Sequence, residues 1–193
     1  MKNLFAIICL TFSLNSFSHS ISVYPDAPLE IITVGHPTLY LVADYVDQAE
    51  FEDESFQKLI DDMISTMKKA GGVGLAAAQV NVSKRLFVMK PSYFKKAEAI
   101  VNPVLTYIEA AGKKMSNESC LSIPGKTFTV ERYKKLHMSY QNRHGEHKTE
   151  TAKGFRAIVI QHEYDHLNGN LINDLFSKSL NLKDDFLFSV PRM

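Results

Sequence analysis

"KGFRAIVIQHEYDHLNGN", residues 153–170, is the stretch on which the reading of this chain turns. Its spacing predicts a helix with Phe155, Val159, His162 and His166 along one side, ended by Asn168-Gly169. At a period of 3.6 residues, His162 and His166 leave the same face one turn apart, so both imidazoles can reach one metal ion. Glu163, about 100° further round, lies beside that face, which makes H-E-x-x-H two ligands plus a candidate general base. The competing reading is two histidines that cap or pair on a solvated helix.

A third ligand decides between these readings. One large group of zinc peptidases takes a glutamate well downstream, but no glutamate follows Glu163. Another needs H-E-x-x-H-x-x-G-x-x-H; Gly169 fits, yet the last position is Ile172 and no histidine follows His166. The remaining candidate lies upstream and is a thiol, Cys120. One thiolate and two imidazoles leave a fourth position open, the arrangement of catalytic rather than structural sites.

Working outward, Phe56, Leu59, Ile60, Met63, Ile64 and Met67 form an apolar stripe at helical spacing. Asp53 and Glu54 stand at its start, Lys68 and Lys69 at its end, and Gly71-Gly72 follows, as the helix dipole and the usual stop signal demand. The methionines of that stripe read as core. Residues 30–49 carry short apolar runs broken by Gly35 and Pro37, an extended segment. Strand-like runs cover 85–89, 99–109, 126–131 and 135–142, with a turn at His144-Gly145. A helix, several strands and a second helix predict an α+β domain, its antiparallel sheets packed around a central metal-binding helix that carries H-E-x-x-H.

Composition limits the alternatives. With 193 residues, 45% hydrophobic and 22% charged, the chain suits one globular domain with a substantial core. A formal net charge of +1 without long single-sign runs gives no basis for a nucleic-acid partner or a basic membrane-binding face. The N-terminus, "MKNLFAIICLTFSLNSFSHS", reads as a secretory signal peptide over residues 1–20: one lysine, an apolar run, then small polar residues. Cleavage is expected after about residue 18 or 20, leaving 21–193 as a single catalytic domain. The run from Leu4 to Leu14 falls short of the roughly 20 residues a membrane span needs, and an uncleaved anchor is the alternative. Of the 2 cysteines, Cys9 would leave with the signal. Cys120 would then be a lone thiol in an oxidising compartment, which a bound metal would protect.

The surroundings of Cys120, "ESCLSIPG" (118–125), together with "GVGLAAAQ" (72–79) and "QHEYDHLNG" (161–169), resemble the three motifs of the peptide deformylase family, in the family's order. Weaker echoes are Gly35, Pro37, Leu39, Asn102-Pro103, Arg132 and Gly154, so that the resemblance spans roughly residues 28–177. It implies a metal-dependent hydrolase that removes the N-formyl group from formylmethionyl peptides and releases formate. Cys120, His162 and His166 would hold one divalent ion, Fe²⁺ or Zn²⁺, which would make water acidic near neutral pH. Glu163 would take that water's proton and return it to the departing amine. The resemblance assigns the oxyanion donors to the Gln79 amide and the backbone N–H of Leu121. Gly72 and Gly74 would let the backbone run close to a peptide added as a strand, and Arg132 would lie near the substrate. Ile123 and Val159 are candidates for the methionine pocket, with a plain core role as the alternative. Asp165 is a candidate to orient His162 or a neighbour, or else a solvated acid. His36, His137, His144 and His147 read as surface or turn residues.

Two departures stand out. Ser119 occupies a position where the family usually has glycine, so a demand there for positive φ or close substrate approach would strain or narrow the site. The signal peptide would send the enzyme to the periplasm or outside the cell. The expected molecule is a monomer that acts on N-formylated peptides, with no stable membrane insertion once cleaved. Its rivals are a degenerate relative that binds metal or formyl peptide without turnover, and a related metal amidase with another substrate.

Overall fold

A computed structural model describes residues 28–90 and 96–179, with side chains through Phe176. The proposed signal peptide, and the chain beyond Ser179, lie outside those residues.

The first helix, α1 (Glu54–Lys69), forms where the apolar stripe predicts it. Asp53 caps it, its Oδ1 accepting from the Ser55 N–H at 2.7 Å. Phe56, Leu59, Ile60, Met63 and Met67 are buried and pack against Leu75, Leu86, Val88 and Val101. Each fully buried side chain of this size contributes about 1.5–3 kcal/mol.

Five strands make an antiparallel sheet in the order β1-β2-β3-β6-β7: β1 (Gly74–Ala76), β2 (Leu86–Met89), β3 (Glu98–Tyr107), β6 (Lys135–Gln141) and β7 (His147–Lys153). A separate antiparallel hairpin joins β4 (Lys113–Cys120) to β5 (Ile123–Tyr133). The mixed architecture of helices and antiparallel sheets is the expected one. β1, β4 and β7 fall outside the predicted strands.

In β3 the register slips between Val101 and Val104, where Pro103 offers no N–H to the ladder. Asn102 takes φ 49° there, and its side chain closes a two-way clasp on Val46: Oδ1 accepts from the Val46 N–H at 3.0 Å and Nδ2 donates to its carbonyl at 2.8 Å.

The second helix, α2 (Phe155–Leu167), carries His162, Glu163 and His166. Its Ala157, Val159, Ile160 and Leu167 pack against Ile100, Leu136 and Met138 of the large sheet. It starts after Gly154 at φ 62° and stops at Gly169, φ 68°, where a Cβ would sit 2.6 Å from the Tyr40 carbonyl oxygen. The segment before α1 is laced to that end of α2 by the Ala43 N–H on the Leu167 carbonyl at 3.0 Å. A short third helix, α3 (Ile172–Ser179), lies against β5.

Candidate metal centre and cleft

Cys120 ends β4 at a register slip, where Ser119 still faces Thr127 but Cys120 faces Ile123. Such a bulge re-aims a side chain, and here it turns the thiol toward α2. The ligand atoms of Cys120, His162 and His166 all lie within 4.8 Å of one another. Cys120 Sγ is 3.3 Å from His166 Nε2. Strand and helix thus deliver one sulfur and two nitrogens to a single point.

Behind the histidines stands Glu118. The period of two places it on the same strand face as Cys120, and both are buried. Its Oε2 lies 2.9 Å from His162 Nδ1, and its two oxygens accept from Arg132 Nε and Nη2 at 2.9 Å each. Burial would raise the Glu118 carboxyl, but hydrogen bonds from His162 and Arg132 and the guanidinium charge outweigh it and hold it at about 2. The sequence reading missed this residue and offered Asp165 for the task. Asp165 instead accepts from Arg132 Nη1 at 2.5 Å.

Arg132 was expected near the substrate. It is buried with its guanidinium occupied by those two carboxylates, and it does not line the cleft. Its charge serves the site through Glu118.

A cleft of about 540 Å³ opens onto this cluster. The segment Gly71–Gly74 lines one side, residues 116–121 of β4 and the turn after it another, and Phe155, Ile158 and Val159 of α2 supply apolar surface. Val159 lines the cleft and packs in the core beneath it, while Ile123 is buried with Val130 and Ile172 and is not among the lining residues. Gly74 lines the cleft and has a second use as well. A Cβ on it would stand 2.8 Å from Glu163 Cδ, so its bare backbone makes room for that carboxylate. At Gly72 a Cβ would come within 2.9 Å of Leu121 Cδ1.

Glu163 is 4% exposed, and its Oε2 finds no hydrogen-bond partner among the described residues. Burial raises its carboxyl to about 7, with His162 pulling the other way and Glu118 and Asp165 adding to the rise. That is the range in which a carboxyl can both take and return a proton near neutral pH. Gln79 is oriented by the Ala76 N–H, which donates to its Oε1 at 2.9 Å. Its Nε2 therefore points into the cluster, 3.5 Å from Cys120 Sγ and 3.2 Å from Ser122 Oγ. Leu121 lines the cleft beside it.

The donor set fits a divalent transition metal. Glu118 occupies His162 Nδ1 and leaves Nε2 to face the cluster, the usual second partner of a ligating histidine. Burial, with His162 and Arg132 adding to it, holds His166 well below its ordinary pKa, so its ring is neutral with a lone pair to give. Burial disfavours charge on His162, but Cys120 and Glu118 outweigh it and push that imidazole up to about 10. The surroundings of His162 therefore favour positive charge, while those of His166 disfavour it.

The same chain matches known proteins along nearly all of its described length. The profile of the polypeptide deformylases covers residues 28–181. A peptide deformylase of Xylella fastidiosa (strain M12) is 41% identical over 152 residues, 78% of this chain and 88% of the relative. The structure of peptide deformylase from Thermotoga maritima superposes with TM-score 0.71 at 41% identity, over 77% of this chain and 97% of that one. The Met-Ala-Ser-bound class I type b peptide deformylase of Acinetobacter baumannii superposes at 0.71 and 32% identity, over 80% and 99%. With profile, relatives and fold in agreement around one Cys-His-His cluster, this chain belongs to the polypeptide deformylase family.

Proposed function

We propose that the chain is a metal-dependent hydrolase that removes the N-formyl group from formylmethionyl peptides and releases formate. The observation that carries this reading is one cleft holding three converging ligands, a buried carboxylate with a free oxygen, and an amide aimed at the same point. In this reading α2 is the central metal-binding helix.

Cys120, His162 and His166 would hold the ion, which when bound supplies Lewis acidity and makes water acidic near neutral pH. Glu163 accepts a proton from the attacking water. The C–N bond of the formamide breaks, and Glu163 returns the proton to the amine nitrogen as it leaves. Gln79 Nε2 and the Leu121 N–H donate to the formyl oxygen as negative charge grows on it, each such donor being worth about 10²–10³ in rate.

The peptide lies between two strands that are edges among the described residues. β1 is the outer strand of the large sheet and β4 pairs only with β5. A chain threaded between Gly72–Gly74 and β4 would be held by main-chain hydrogen bonds, with its methionine against Ile158 and Val159. Ligands of one thiolate and two imidazoles suit both ferrous iron and zinc, so the assay takes both.

Formate release from formyl-Met-Ala-Ser, run beside acetyl-Met-Ala-Ser, tests the reading. Formate from the first with no hydrolysis of the second is expected; equal cleavage of both would make the enzyme a general amidase, and tight binding without formate would make it a non-catalytic relative.

We also propose export through residues 1–20, with a monomeric mature enzyme working outside the cytoplasm. Among the described residues no helix is long and apolar enough to cross a membrane. Finding the full-length chain solely in the cytosolic fraction would overturn export.

A further inference from the structure

Ser119 lines the cleft one residue before Cys120. Its φ is not among the positive values of the chain, so the serine sits unstrained in extended backbone. On the exposed face of the hairpin it stands opposite Thr127, the two hydroxyl oxygens 2.9 Å apart. Two residues earlier on the same face, Asn117 Oδ1 accepts from Thr129 Oγ1 at 2.7 Å. The hairpin therefore carries a short polar strip along the cleft, each β4 member fixed by a threonine of β5.

The arithmetic of these hydroxyls matters. Ser119 and Thr127 bring two O–H donors to one mutual bond, so whichever donates, the other keeps a free hydrogen, and lone pairs remain on both. A strand added at the open edge of β4 places the side chain of the residue opposite Ser119 on this same face, about 4.5–5.5 Å away between Cβ atoms. Alternate residues of an extended peptide repeat at the spacing of Asn117 and Ser119. A glycine at 119 would present nothing to such a neighbour.

Resting on the hydrolase reading above, we propose that Ser119, supported by Thr127, determines specificity. It makes the cleft prefer a hydrogen-bonding side chain over an aliphatic one at a residue shortly after the formylated methionine. The peptide runs away from the reacting carbon along β4, so the first two residues after methionine are those within reach of Ser119 and Asn117.

The test compares kcat/KM for formyl-Met-Ser-Ala with formyl-Met-Val-Ala, and for formyl-Met-Ala-Ser with formyl-Met-Ala-Val, in the wild type, Ser119→Ala, Ser119→Gly and Thr127→Val. At one of the two positions the wild type favours serine by about threefold to tenfold, the size of one net hydrogen bond. Ser119→Ala and Ser119→Gly bring that ratio to about one, and Thr127→Val lowers it in part. The same ratio in Ser119→Ala as in the wild type, or no preference at either position, overturns the proposal. The dissociation constants of Met-Ser-Ala, Met-Val-Ala, Met-Ala-Ser and Met-Ala-Val, read by calorimetry on the same proteins, carry the same comparison. Absence of formate from every peptide would defeat the hydrolase reading, while those constants would still decide the role of Ser119.

Discussion

Helices α1 and α2 solve opposite problems. α1 buries an apolar stripe and turns Asp61 and Lys68 toward solvent, and the one polar side chain it buries, Thr66, accepts from the Leu29 N–H at 2.9 Å. α2 has no such division: Ile160 and Leu167 are buried, but so are Gln161, Glu163 and His166. A buried polar side chain costs stability unless it is bonded, and the bonds around α2 are specific. Gln161 donates to the carbonyls of Tyr133 and Ala157 and accepts from the Tyr133 N–H, while His162 faces Glu118. The exceptions on α2 among the described residues are Glu163 Oε2, in the cleft, and His166 Nδ1, on the ring whose Nε2 faces Cys120 Sγ. One helix is built to stabilise the fold, and the other is held by the fold for chemistry.

Substitutions that confuse the two roles should separate activity from stability. His166→Ala removes one ligand, and formate release should fall by at least on the order of a thousandfold, with metal content below one per chain by atomic absorption. Gly74→Ala places a methyl group against Glu163, and displacement of a catalytic group by an ångström costs about a hundredfold. Metal content of that variant should be unchanged, and a rate equal to wild type would show that the carboxylate has room to move.

Glu118→Gln breaks a buried charged pair by removing one partner, a change worth about 3–5 kcal/mol of stability. Because it also loosens His162, metal affinity should drop about tenfold to a hundredfold in a chelator competition. Leu59→Ala in α1 should cost about 2–5 kcal/mol in urea unfolding and leave the kcat of folded protein unchanged. A change in kcat there would mean that the α1 core is not separable from the site.

The same contrast explains what could be read in advance. α1 was legible because one-sided burial writes its period into the sequence. β2, β3, β5 and β6 carry enough apolar residues to show as strands. β4 and β7, "KKMSNESC" and "HKTETAK", do not: the hairpin face bearing Asn117 and Ser119 is open to solvent, and only Glu118 and Cys120 of β4 are buried.

At the site, Cys120, His162, Glu163 and His166 could be proposed because ligands and proton carriers come in few residue types at set spacings, whereas Gln79 was offered only by the resemblance of its motif. Glu118 was missed although it lies two residues before Cys120 on the same strand face, a signal visible only once β4 is recognised as a strand. Arg132 was expected at the substrate because the resemblance matches it to a family arginine there, with a surface ion pair as the alternative. Its burial against Glu118 and Asp165 is a tertiary fact, as is the crowding at Gly74, and neither leaves a periodic trace.

The central claim is that Glu163 moves the proton while Cys120, His162 and His166 hold the ion. The measurement that meets it most directly is formate release from formyl-Met-Ala-Ser by anaerobically purified, metal-loaded Glu163→Gln beside the wild type, with metal content determined on the same samples. Near-stoichiometric metal in both, with formate release lower by on the order of a thousandfold or more in the variant, is the predicted result. Full metal content with formate release undiminished would contradict the account, because the proton would then travel by another group.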